Sequence, residues 1–78
     1  MATVDRIDVI LSTLNATDVG SLDSIAEKLR QVRDELQALA QAELVARVDE
    51  TLLALERGDL AEFRRGRAYL QSKVGHLR

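Results

Sequence analysis

The densest set of side chains capable of chemistry lies near the C-terminus, in residues 63–69, which read FRRGRAY. Three arginines and two aromatic residues in seven positions could contact phosphates or stack on the bases of a single strand. On a helical wheel, however, the cations scatter and Phe63 falls in the apolar stripe, which favours a packing and ion-pair face. The residues predicted to contact an outside partner are Arg64, Arg65, Arg67 and Tyr69.

Catalytic and metal-binding patterns are missing from the sequence. There is no cysteine, and the single histidine, His76, lies three residues from the end, where fraying is expected. Nucleophilic catalysis needs a nucleophile beside a base and an orienting group, and a di-iron bundle needs Glu-x-x-His pairs; Lys73 precedes His76 at that spacing. We therefore predict no catalytic residue, no metal site and no cofactor, and expect a non-enzymatic protein.

Charge is unevenly distributed along the chain. The net charge is −2, but residues 1–56 carry a net of −6 and residues 57–78 a net of +4. A basic C-terminal helix keeps open the alternative of a nucleic-acid-associated helical dimer. The overall acidity of the chain argues mildly against a general DNA binder.

Length and composition indicate one small domain, over residues 1–78. The start, MATVDRIDVIL, lacks the basic beginning and the apolar run of a signal peptide. No apolar stretch approaches the ~18 residues that cross a bilayer. The expectation is a cytoplasmic protein that does not enter the membrane.

Hydrophobic periodicity predicts an all-α fold with helices over about 3–14, 21–57 and 59–77. The turn formers of 15–21 separate the first two helices, and Arg57-Gly58-Asp59 separates the last two. Gly58 suits the left-handed position after a helix and Asp59 the first cap of the next, so this RGD triplet is interpreted as a stop and restart rather than an adhesion motif. A connection this short makes the long central helix and the C-terminal helix an antiparallel hairpin.

The central helix carries an apolar stripe that changes sides. Its first half has six apolar residues at heptad spacing: Leu22, Ile25, Leu29, Val32, Leu36 and Leu39. The next set, from Leu44 to Leu55, is rotated from it by roughly 130° on a continuous helix. Because no Gly or Pro occurs between positions 21 and 57, one helix on the order of 50 Å long is preferred over a break near residue 41.

The changing stripe leads to the prediction of a partner. A long rod with short helices covering opposite ends cannot bury all its leucines, and each large aliphatic side chain left in water forgoes roughly 1.5–3 kcal/mol. We therefore expect a homodimer that acts as a protein–protein interaction or adapter module, with the six residues from Leu22 to Leu39 forming its self-association surface or its core. The alternative, a break near residue 41, makes a compact four-helix monomer possible.

Overall fold

The chain is built of helices. The computed structural model describes the backbone of residues 3–77 and the side chains of 6–17 and 19–77. The elements are α1 (Thr3–Asn15), a short 3-10 turn (Ala16–Asp18), α2 (Leu22–Ala38), α3 (Ala42–Glu56) and α4 (Leu60–Gly75). The all-α prediction is confirmed, and within the described range no strand interrupts the helices.

The prediction of one long helix over 21–57 is wrong, because the chain turns at residues 39–41. Ala40 adopts a left-handed backbone conformation with φ +58°. Its N–H donates to the Gln37 carbonyl at 3.0 Å, and the Gln41 N–H donates to the Leu36 carbonyl at 3.0 Å. This is the Schellman arrangement that ends many helices, here with alanine where glycine is usual. The alternative with a break near residue 41 agrees with the structure in helix number and in the place of the break.

The physical reason for the break is the burial of both apolar stripes on the same core. α2 buries Leu29, Val32 and Leu36 completely or almost so, and α3 buries Leu44 and Val48. A left-handed alanine costs about 1–2 kcal/mol. Burying a single leucine is worth about as much, so several of them outweigh the strained residue. The change of side in the stripe therefore marks a reversal of the chain.

The folded chain is as compact as a self-contained domain of its length. Its Cα radius of gyration is 11.5 Å, which is about the 11.5 Å expected for 78 residues. The longest dimension is 36 Å, well below the ~50 Å of the predicted rod. A chain that covers its own stripes needs no second copy to enclose them. Any self-association must then use side chains that the closed bundle leaves exposed.

The hairpin of α3 and α4 forms as predicted at the RGD triplet. Gly58 has φ +76°, and its N–H donates to the Leu55 carbonyl at 3.1 Å. Asp59 caps α4 by accepting a hydrogen bond from the Glu62 N–H at 3.2 Å. Gly66 lets the two helices approach, because a Cβ added there would collide with the Thr51 hydroxyl and lie 3.0 Å from Thr51 Cβ.

Each helix packs on its neighbours in sequence, and α1 closes the bundle by packing on both α2 and α4. The link from α1 to α2 is held by Thr17, whose buried hydroxyl donates to the Leu14 carbonyl at 2.6 Å. Lys28 Nζ also donates to the Ala16 carbonyl at 3.1 Å. These bonds fix the start of α2 beside the turn between α3 and α4, where the candidate surface lies.

Candidate protein-binding surface

The structure separates the four residues predicted to contact a partner. Arg64 and Arg67 line a groove near the start of α4. Arg65 points elsewhere and pairs with Glu62 on its own helix at 2.9 Å. Tyr69 lies toward the other end of the bundle, so the four side chains do not form one surface.

Tyr69 is engaged by two cations. The Arg47 guanidinium lies 4.8 Å from the centre of its ring, and Lys73 Nζ lies 5.6 Å from it. Tyr69 borders a hollow of about 540 Å³ between the start of α3 and the end of α4, together with Lys73 and the exposed His76. A ring already held by two cations of its own chain is poorly placed to stack on a base.

The six residues predicted as core or self-association surface divide into two groups. Ile25, Leu29, Val32 and Leu36 are buried in the core. Leu39 is half-buried against that core. Leu22 is 61% exposed. Leu22 continues the heptad spacing of the buried residues but is exposed to solvent, which indicates an interaction surface.

Leu22 borders a groove of about 220 Å³ between the start of α2 and the start of α4. The floor of the groove is apolar and its rim carries two cations. Besides Leu22, its lining includes Ile25, Leu55, Leu60, Phe63, Arg64 and Arg67. We call this groove the basic groove.

A second groove, of about 300 Å³, lies between α2 and α3. Leu22 and Leu55 line it as well, so the two grooves share a wall and are continuous around Leu22. The other side chains that line it are Asp23, Ala26, Arg30 and Glu56. Because Arg30 already pairs with Glu27 at 3.5 Å, carboxylates dominate the charge here. We call it the acidic groove, and the two grooves together with Leu22 the Leu22 surface.

Large apolar side chains stand in water at this end of the molecule. Leu60 is 47% exposed, and Val19, three residues before Leu22, is 65% exposed. Single exposed apolar residues are ordinary, but neighbouring ones around an open groove indicate a contact site.

Most charged side chains of the Leu22 surface form no ion pair within the described part of the chain. The Arg67 guanidinium lies 5.9 Å from the Phe63 ring centre. Among the described side chains, neither Arg64 nor Arg67 has a carboxylate at ion-pair distance, and neither Asp23 nor Glu56 has a cation there. These groups are therefore placed to meet charges on another molecule.

Several residues of this surface were not predicted from the sequence. Asp23, Glu56 and Leu60 belong to three different helix ends, and the turn at residue 40 brings α3 back alongside α2. The exposure of Leu22 also has no signal in its heptad spacing. The contribution of Arg64 and Arg67 follows from the pattern of residues 63–69, and Leu22 and Ile25 are among the six residues predicted as core or self-association surface.

The described residues offer little for other kinds of site. Within the part of the chain that the structure describes, no three His, Cys, Asp or Glu side chains come together as a metal site would require. None of the helices within residues 3–77 has the length and continuous apolar character of a membrane-spanning segment. Comparison with known proteins gave no match to a protein-family model, to a curated protein or to a solved structure.

Proposed function

We propose that this protein is a non-enzymatic interaction module that binds a protein through the Leu22 surface. The observation that carries the proposal is Leu22 itself, 61% exposed between two continuous grooves. Burying such a side chain in a partner would return roughly 1.5–3 kcal/mol, a substantial share of a weak association. The cytoplasmic location predicted from the sequence remains a prediction.

The surface specifies the chemistry of its partner. An apolar side chain would enter beside Leu22 and Leu60. Carboxylates on one flank would face Arg64 and Arg67, and cations on the other flank would face Asp23 and Glu56. Charged rims of this kind fix orientation and speed association more than they add affinity. Arg65 and Tyr69 lie outside this surface and take no part in the proposed contact.

The dispersed cations support a protein partner over nucleic acid. A nucleic-acid surface would present its cations together and leave its aromatic rings free. Here Arg65 is paired with Glu62, and Phe63 is 6% exposed. The nucleic-acid alternative predicts retention on a heparin column that falls steeply with salt, and absence of retention at low salt would exclude it.

The proposal is tested by labelling the intact protein with a photoactivated carbene, in dilute purified form and in its native lysate. We expect labelling of Leu22 and Leu60 to fall in the lysate, because a bound protein shields them. Val9, which is 58% exposed on α1, is the internal control and should label equally in both. Equal labelling of Leu22 in the two conditions and in the concentrated pure protein would overturn the proposal.

A further inference from the structure

We propose that the partner of the Leu22 surface is a second copy of the same chain, bound about a two-fold axis that passes close to Leu22. This inference rests on the proposed function, since it names the occupant of the same surface. It differs from the dimer predicted from the sequence, in which long helices pair along their apolar stripes. Apart from Leu22 and the half-buried Leu39, the six residues of the first stripe are buried inside one chain, and the contact proposed here uses helix ends.

The argument is one of self-complementarity. In a two-fold contact the same patch meets itself, so that whatever lies to one side of the axis faces what lies to the other side. The Leu22 surface has cations on one side, Arg64 and Arg67, and carboxylates on the other, Asp23 and Glu56. Rotation about Leu22 therefore places the basic groove of each copy against the acidic groove of the other.

The apolar parts agree with this arrangement. Leu22 and Leu55 line both grooves, so the apolar strip extends to both sides of the axis. Leu22 of one copy would pack against Leu22 of the other, and each Leu60 would be covered at the edge of the contact. A single rotation thus buries Leu22 and Leu60 and pairs four charged side chains of the Leu22 surface that have no ion pair within the described part of the chain.

A second copy also suits the charge of the chain better than an unrelated acidic partner does. Each copy carries a net charge of −2, so two copies repel weakly at long range. A partner that was acidic throughout would satisfy Arg64 and Arg67 but would place like charges against Asp23 and Glu56. Only a partner that places carboxylates against the arginines and cations against Asp23 and Glu56 matches the whole surface. A second copy of the chain carries its charges in that order.

Reciprocal charge reversal tests the inference. One double variant, Arg64→Glu with Arg67→Glu, makes both grooves acidic. The other, Asp23→Lys with Glu56→Lys, makes both basic. Sedimentation analysis of the wild type should give twice 8.7 kDa at high concentration. Each variant alone should dissociate with a dissociation constant raised about tenfold or more, since like charges then face each other twice.

The decisive sample is an equal mixture of the two variants. Because one has two acidic grooves and the other two basic ones, the mixture should regain the dimer mass as a heterodimer. A mixture that stays at 8.7 kDa, or variants that remain dimeric alone, would overturn the proposed pairing. Far-UV circular dichroism of each variant confirms that it is folded before its mass is interpreted.

Apolar variants provide an independent check. Leu22→Asp should abolish the dimer, whereas Val9→Asp, at a site of similar exposure on α1, should leave it intact. If the wild type stays monomeric up to ~1 mM, where association is worth only about 4 kcal/mol, the second copy is excluded. In that case, shielding of Leu22 in the lysate would still support the proposed function, with a different protein as the partner. Absence of that shielding as well would overturn both proposals.

Discussion

Between α2 and α3, and again between α3 and α4, the chain reverses over three residues with one pattern of backbone hydrogen bonds. Ala40 and Gly58 occupy equivalent left-handed positions, with φ of +58° and +76°. After each, the next N–H bonds back five residues: Gln41 to the Leu36 carbonyl at 3.0 Å, and Asp59 to the Ala54 carbonyl at 2.9 Å. The two turns are close copies in backbone geometry.

The side chains of the two turns differ at two positions, the left-handed residue and the cap of the following helix. Gly58 carries no Cβ, and Asp59 caps α4 through its carboxylate. Ala40 takes the same backbone region with a Cβ, and Gln41 makes no side-chain cap on α3. Local chemistry therefore favours the second turn, whereas the first forms against the local preference of its residues.

This difference shows that tertiary packing can end a helix at a place where the local sequence favours its continuation. Nothing between Ala38 and Ala42 opposes a continuous helix, and alanine is the strongest helix former. Burial of Leu36 and Leu44 on one core requires the reversal. The local cost is about 1–2 kcal/mol, and the gain is several buried aliphatic side chains at roughly 1.5–3 kcal/mol each.

Proline at the first turn should produce the largest effect. Ala40→Pro fixes φ near −65°, against +58° in the structure, and removes the N–H that donates to Gln37. We expect a loss of about 3 kcal/mol or more in the free energy of unfolding, measured by urea denaturation.

The matched control lies two residues further on. Ala42 is the first residue of α3, a position where proline is well tolerated. Ala42→Pro should change stability by less than about 1 kcal/mol. Equal losses in both variants would mean that the chain does not turn at Ala40.

Adding a methyl group at Gly66 should have the next largest effect on stability. This variant tests whether the second hairpin is held by the close packing of α3 on α4 or by the turn at Gly58. Gly→Ala in a helix normally stabilises by about 1 kcal/mol. Here the added Cβ would overlap the Thr51 side chain, so we expect a net loss of about 1–3 kcal/mol in the free energy of unfolding, measured by urea denaturation.

Two further variants separate crowding from helix propensity at this site. Combining Gly66→Ala with Thr51→Ala should recover part of the loss, because the overlapping hydroxyl is gone. Gly75→Ala, where the added Cβ meets nothing within 4 Å, should not destabilise. Stabilisation by Gly66→Ala alone would contradict the close approach of α3 and α4.

Exchanging the two left-handed residues should shift stability in opposite directions. Ala40→Gly relieves the strained backbone and should stabilise by about 0.5–1 kcal/mol after the extra flexibility of the unfolded glycine is subtracted. Gly58→Ala introduces that strain and should destabilise by about 1 kcal/mol, since its Cβ would meet open space. Thermal unfolding followed by circular dichroism gives both signs, and a loss on Ala40→Gly would rule out a left-handed Ala40.

The smallest expected effect is that of adding the missing cap. Gln41 has φ −98° and ψ 69°, close to the −85° and 81° of Asp59, so an aspartate there can cap α3 as Asp59 caps α4. Gln41→Asp should stabilise by about 0.5 kcal/mol. Gln41→Ala is the control; if both variants are equally stable in urea, the two caps are not equivalent.

Much of the fold could be predicted from local patterns. Helix periodicity gave the all-α class and a second helix starting near residue 21, and the cap at Asp59 located the start of α4. In the structure the cap of α2 is Ser21, which accepts from the Ser24 N–H at 3.1 Å. The turn at Ala40 could not be chosen over a continuous helix, because its signal was the rotation of the apolar stripe and not a residue type. That rotation is compatible either with a dimeric rod or with a reversal.

The candidate surface was less predictable than the fold. Leu22 shares the heptad spacing of the buried Leu29, yet it lies at the start of α2, where the grooves beside α3 and α4 leave it 61% exposed. Exposure depends on where neighbouring helices end, and those ends meet only after both turns have formed.

By itself, then, the sequence determined the all-helical class and where Gly58 and Asp59 stop one helix and start the next, because periodicity, glycine and caps act within a few residues. Tertiary structure alone decided that Ala40 turns the chain, that Leu22 stays exposed, and that Asp23 and Glu56 lie across Leu22 from Arg64 and Arg67. These outcomes depend on contacts between residues far apart in the chain, whose combined burial outweighs the preference of any one of them.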